Sequence, residues 1–162
     1  MNSVNDIDWA TWTPQQRATL LFVVQDGRVL LIHKKRGLGA RNINGPGGRV
    51  EPGETPRQAA VREVEEELCI TPKDVSHCGE LSFQFRDGLS IHCTVFRAEG
   101  YHGEPTETDE AIPLWTPLDA IPYERMWEDD QYWLPLMLEK QPFRGVFLFD
   151  GSCMVDHRID ID

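Results

Sequence analysis

The chain has 162 residues, 27 acidic against 16 basic side chains, and a formal net charge of −11. That length fits one domain with a sizeable core. No apolar run is long enough to span a bilayer. The acidic balance excludes the basic surface by which a protein grips a nucleic-acid polymer. The opening "MNSVNDIDWATWTPQQ" has no basic region followed by an apolar stretch. No signal peptide is therefore expected, and a cytoplasmic location follows. Residues 1–16 read as a flexible lead or a covering strand ahead of the domain. The cysteines, Cys69, Cys78, Cys93 and Cys153, form no C-x-x-C pair. They are expected as buried or half-buried free thiols in a reducing compartment. Nothing demands an assembly larger than a monomer.

In chain order, "ATLLFVV" (18–24) and "RVLLIHKK" (28–35) read as strands joined by a Gln-Asp-Gly hairpin signal. Lys34, Lys35, Arg36 and Arg41 cluster just ahead of the Gly- and Asn-rich loop 36–48, where a small anionic substrate could be received. "RVEPGE" is a short extended piece and a turn. A helix then starts at Thr55, with Pro56 at its first position and Gln58 completing a capping box. Val61, Val64 and Leu68 recur at helical spacing and are expected to face the core, and Pro72 reads as a stop. "ELSFQF" (80–85) and "SIHCTVFRAEG" (90–100) form a hairpin across "RDG", and "AIPLWTPL" (111–118) adds a short strand. "DDQYWLPLMLEK" (129–140) reads as a second helix despite Pro135. "RGVFLFDG" and "CMVDHRI" close the chain as a hairpin. The sum is a mixed sheet with two helices, a layered α+β domain.

"REVEEEL" (62–68) places Glu63, Glu65, Glu66 and Glu67 within little more than one helical turn. Like charges at such spacings cost an isolated helix roughly 0.2–0.5 kcal/mol per pair. Glu63, Glu66 and Glu67 are related by i+3 and i+4 and share a face away from Val61, Val64 and Leu68. Three carboxylates on one face suit a hard cation such as Mg²⁺ or Mn²⁺. Taken by itself, the helix is better explained as a merely solvated acidic face, with Arg62 paired to Glu66.

The wider stretch "GGRVEPGETPRQAAVREVEEELCI" (47–70) resembles the Nudix box, the signature of the Nudix hydrolases. Gly48, Glu54, Arg62, Glu63, Val64, Glu66, Glu67 and Ile70 stand at the positions of that pattern. Cys69 departs from it, because the family carries Gly there. That Gly follows the helix in a left-handed conformation, so Cys69 implies local strain of about 1 kcal/mol. The resemblance implies an α/β/α Nudix fold with a mixed sheet packed between helices. It further implies metal binding by Glu63, Glu66 and Glu67 near the Gly47 carbonyl, with Glu54 and Arg62 bracing loop and helix. Water would attack phosphorus in a diphosphate joined to another group, with Glu67 combining metal binding and water activation.

From about Thr19 onward the chain is similar to the animal MutT-homologue oxidised-purine nucleoside triphosphatases. This implies Mg²⁺-dependent hydrolysis of 8-oxo-dGTP or 2-hydroxy-dATP to monophosphate and pyrophosphate, serving nucleotide-pool sanitation. The segment "MWEDD" gives that expectation physical content. Trp127 offers a stacking face worth about 1–3 kcal/mol per base. Of the adjacent carboxyls Asp129 and Asp130, one can stay protonated in an apolar pocket while the other ionises. By resemblance, Asn44 contacts the base from the other side. Thr19, Lys34 and Phe83 line the cavity, and Glu110 is a further carboxylate near the metal. Each has a structural alternative. Trp127 and Phe83 could be core, Asp129 a helix N-cap, Asn44 a turn residue and Lys34 a solvated strand end. Leu38, Pro46 and Ile91 depart from the animal enzymes, which carry an aromatic residue, Phe and Met there. Two competing functions stay open: another Nudix diphosphatase, acting on a dinucleoside polyphosphate or nucleotide sugar, and a non-catalytic nucleotide sensor.

Overall fold

The computed structural model describes residues 1–35 and 42–162. The expectations for Arg36, Leu38 and Arg41 fall outside them. Nine strands, β1 (Gln16–Gln25), β2 (Arg28–Lys34), β3 (Ile43–Asn44), β4 (Gly47–Arg49), β5 (Thr71–Phe85), β6 (Ser90–His102), β7 (Ala111–Pro117), β8 (Phe143–Asp150) and β9 (Cys153–Ile161), form one sheet among the described residues. Its order is β3-β2-β1-β6-β5-β8-β9, with β4 on β1 and β7 on β2. The helices are α1 (Pro56–Leu68) and α2 (Asp130–Leu138), with single 3-10 turns at Val4–Asp6 and Tyr123–Arg125.

The sheet lies between the two helices, as the resemblance to the Nudix hydrolases implies. β1 shows why. Leu21, Phe22, Val23 and Val24 are consecutive and all buried, so both faces of this strand are covered. Leu21 and Val23, with Leu30 and Ile32 of β2, pack on Ala60, Val64 and Leu68 of α1. Phe22 and Val24, with Val29 and Leu31, join Trp133, Leu134 and Met137 of α2 on the other face. The pairing is mixed: β1 runs parallel to β6 and β5 parallel to β8, while the hairpins β1–β2, β5–β6 and β8–β9 are antiparallel.

The α1 start matches its sequence signature. Thr55 Oγ1 accepts from the Gln58 amide at 3.1 Å, and Gln58 Oε1 accepts from the Thr55 amide at 2.9 Å. Its C-cap is Cys69, at φ 62° and ψ 30°, so cysteine occupies the left-handed position. Cys69 and Cys153 are exposed rather than buried, whereas Cys78 and Cys93 are buried.

The helix ends at Leu68, ahead of Pro72 as expected, and one expectation changes. The chain passes straight into β5 at Thr71, where Pro72 pairs with Tyr101. Pro72 is tolerated because β8 joins β5 only from Gly79 onward, leaving the first half of β5 with one free edge. Residues 43–44 and 47–49 lie partly inside the expected loop yet form short strands, because β2 and β1 offer them free edges. The opening residues are tied down in this structure: Val4 is 2% exposed and packs with Val146 and Leu148.

Candidate active site

α1 is aimed by Arg62. Its guanidinium grips Glu54 through two bonds, Nε to Oε2 at 2.7 Å and Nη2 to Oε1 at 3.0 Å. The same group donates to Glu63 at 3.0 Å, to Glu66 at 3.3 Å and to the Arg49 carbonyl at 3.0 Å. Those bonds hold Glu54 below its ordinary carboxyl pKa and raise that of Arg62. One arginine therefore fixes the loop 49–54 to the helix.

Glycines 47 and 48 allow β4 to lie against both β1 and α1. A Cβ on Gly47 would sit 1.9 Å from the Thr19 carbonyl oxygen, and one on Gly48 2.3 Å from the Glu63 carboxyl carbon. The Gly47 amide donates to Glu67 Oε1 at 2.8 Å. Glu67 is 4% exposed, an acid on the seam between the core stripe and the acidic face. Burial pushes its pKa up to about 8, opposed by the Gly47 bond and helped by the charges of Glu63 and Glu110. Glu63 is raised too, chiefly by burial, with Glu66 and Glu110 adding to it against Arg62. Glu63, Glu66, Glu67 and Glu110 thus form one electrostatically linked acidic patch.

A cleft of about 590 Å³ opens beside Glu67. Gly47, Thr19, Lys34, Asn44, Phe83, Trp127, Asp129 and Asp130 all line it. Glu63, Glu66 and Glu110 stand outside its lining. Phe83, Phe85 and Phe149 form its aromatic wall: Phe83 lies 6.1 Å and Phe85 5.5 Å from Phe149 by ring centroid. Trp127 meets Phe149 edge-on at 5.7 Å. Trp127 and Phe83 therefore pack against the core and face the cleft at once.

At the inner end, Asp129 is 3% and Asp130 9% exposed. Asp129 holds the N-cap position of α2, but its side chain makes no capping bond. It accepts instead from Trp133 Nε1 at 2.8 Å. Asp130 is pushed well above the ordinary carboxyl range by burial, by the Asp129 charge, and by its own hydrogen bond to Asp129. Burial raises Asp129 as well, against donation from Trp133 and Asp130. The Trp133 bond favours Asp129 as the acceptor of the pair, and Asp130 is the one pushed further up.

Three parts of the site escape a reading of the residues alone. Phe85 and Phe149 could have been found from strand alternation, since Phe85 shares the face of Phe83. The Trp133–Asp129 bond is an i,i+4 helical contact that the spacing allows. Cys93, in the cleft floor, carries no local signal.

The geometry has close counterparts. Residues 14–137 match the NUDIX domain model. The chain is 47% identical over 146 residues to the "Oxidized purine nucleoside triphosphate hydrolase" of Danio rerio, covering 88% of this chain and 92% of that protein. The protein of the same name from Mus musculus is 44% identical, over 83% of this chain and 86% of its own length. In structure, the chain is similar to the MutT protein of Bacillus halodurans at a TM-score of 0.80, with 27% identity, covering 90% of this chain and 97% of that one. With the acidic helix braced by Arg62 and the family match spanning the fold around it, the chain belongs to the Nudix hydrolase family.

Proposed function

We propose that the protein hydrolyses oxidised purine nucleoside triphosphates to the monophosphate and pyrophosphate, clearing damaged nucleotides from the precursor pool. The observation that carries this reading is the buried Asp129–Asp130 pair in an aromatic cleft that Glu67 also lines. The names of the zebrafish and mouse relatives point the same way.

Nudix hydrolases work with a divalent cation. Among the described residues no three side chains already converge as a ligand cluster. Arg62 draws Glu63 and Glu66 toward itself, and the Gly47 amide holds Glu67. The donor set nevertheless fits a hard cation, since all are carboxylate oxygens, and the charges of their neighbours push up Glu63 and Glu67. Glu63, Glu66 and Glu67, with Glu110 beside them, would hold Mg²⁺, which would neutralise phosphate charge and make bound water more acidic.

The chain's own groups do the rest. Glu67 is positioned by Gly47 at the cleft, where its carboxylate is suited to take a proton from attacking water. Lys34, at the cleft wall, faces the triphosphate charge. Trp127 stacks on the base. Asp130 donates and Asp129 accepts, so the pair can read a purine edge in more than one tautomeric or oxidised form. A site built on buried hydrogen-bond partners rejects a base that leaves them unpaired.

The test is product analysis with and without Mg²⁺ on 8-oxo-dGTP, 2-hydroxy-dATP, a dinucleoside polyphosphate and a nucleotide sugar. Expected is Mg²⁺-dependent pyrophosphate release from the oxidised purines above all others. Faster turnover of the sugar or the dinucleotide would replace this reading with another Nudix substrate class.

A further inference from the structure

The family match covers residues 14–137, so the opening segment and the final hairpin both lie outside it. The structure joins these two pieces to each other and to the outer wall of the cleft. That wall includes Asp87 and Leu89 from the β5–β6 turn and Gly151 and Ser152 from the β8–β9 turn. Hairpin turns are the least restrained parts of a sheet.

Arg86 links the two turns. Its amide donates to the Phe149 carbonyl at 2.9 Å and its Nη1 to Asp150 at 3.0 Å. Its Nε and Nη2 both donate to the Met1 carbonyl, at 3.0 and 2.7 Å, and Nη2 also reaches Asn2 Oδ1 at 2.9 Å. That carbonyl is itself fixed. The Asp6 carboxylate accepts from the Asn2 and Ser3 amides at 3.0 and 3.1 Å. Val4 is buried against Val146 and Leu148, and its amide donates to Asp156 at 2.8 Å.

A second attachment lies a few residues on. Trp12 Nε1 donates to Gln84 Oε1 at 2.9 Å, and Gln84 Nε2 donates to the carbonyls of Phe85 and Leu89 at 2.9 and 3.2 Å. Phe85 and Leu89 line the cleft; Trp12, Gln84 and Arg86 do not. Trp9 stiffens the segment between the attachments, its ring 5.2 Å from Trp12 and its Nε1 on the Val4 carbonyl at 2.9 Å.

We propose that residues 1–13 are a strap that fixes the outer wall of the base cleft, with Arg86 as the positioning residue through which it sharpens discrimination between oxidised and ordinary purines. This rests on the function proposed above. A wall held before the ligand arrives costs less ordering on binding. Recognition of a base edge needs its partners placed to within roughly 0.5 Å. Among the described residues Glu67 is the α1 carboxylate in the cleft lining, and Arg86 bonds to the two turns and the strap rather than to it, so the strap acts on binding and selectivity rather than on the chemical step.

The test uses the full chain with Arg86→Ala, Arg86→Lys and Trp12→Phe. Steady-state kinetics on 8-oxo-dGTP and dGTP are paired with hydrogen exchange over residues 85–90 and 149–153. For Arg86→Ala, KM on 8-oxo-dGTP should rise about tenfold with kcat within about twofold, and both turns should exchange faster. Arg86→Lys keeps a cation near Asp150 but loses the two-bond hold on Met1, so it should fall between. Trp12→Phe should shift the same quantities in the same direction by less. Unchanged KM and selectivity in Arg86→Ala, a loss confined to kcat, or unchanged exchange at both turns would overturn the strap. A wild-type protein with no preference for oxidised purines would instead sink the functional reading. The exchange experiment would still decide the strap.

Discussion

Glu67 is the residue on which the proposed chemistry turns. It is buried, held by one backbone amide, and lifted to a pKa of about 8. Glu67→Gln keeps an oxygen for the Gly47 amide but removes the ionisable group. Turnover should fall by about 10²–10⁴-fold, while the melting temperature holds or rises, because a costly buried acid is gone. Retained turnover would remove Glu67 from its assigned role. Asp130 makes a different statement. Its pKa is raised in the folded state, so folding retains a proton that the unfolded chain releases near its ordinary value of 3.8. The stability this contributes is full below that value and is lost as pH rises toward the folded pKa. Asp130→Asn should flatten the fall in melting temperature from acid to neutral pH, and an unaltered slope would show that Asp130 does not carry the proton. These two roles differ in legibility. The acid types and their spacing mark Glu63, Glu66 and Glu67 as a set. The sequence does not show that Glu67 alone is buried, nor that Trp133 rather than the α2 backbone takes Asp129, because both depend on which neighbours the sheet supplies.

At the scale of elements, α1 was the most legible, since its cap, its apolar stripe and its acidic face are all local. Its end departs from the family pattern in sequence, and the structure accommodates the change: Cys69 adopts the left-handed cap with its amide on the Glu65 carbonyl at 3.0 Å. A side chain there costs strain that glycine avoids. Cys69→Gly should add about 1 kcal/mol of unfolding free energy, measured by denaturant titration, with cation-dependent turnover unchanged. A destabilised variant would mean that Cys69 makes a contact worth more than the strain. β5 was the least legible element. Residues 71–79 are polar and include Pro72, so no alternation announces a strand. They extend because β6 runs long enough to pair with them as far as His102. Long-range pairing, not propensity, decides that stretch.

At the scale of the molecule, the apolar runs in β1 and β2 are buried on both faces, with a helix covering each side. The strand order was not readable. The parallel pairs β1–β6 and β5–β8 join segments far apart in sequence, and no local residue specifies them. Yet this topology builds the cleft. It sets Thr19 of β1, Phe83 of β5 and Phe149 of β8 around one cavity and brings Asp130 of α2 and Glu67 of α1 into its lining. No described helix is long and apolar enough to cross a membrane. The measurement that bears most directly on the proposed function is kcat/KM for pyrophosphate release with Mg²⁺ from 8-oxo-dGTP, 2-hydroxy-dATP, dGTP and dATP. Expected is a preference for an oxidised base over its ordinary counterpart on the order of tenfold or more. Equal values for the oxidised and ordinary bases would leave the Nudix chemistry standing but would contradict the assignment of Asp129 and Asp130 to base selection.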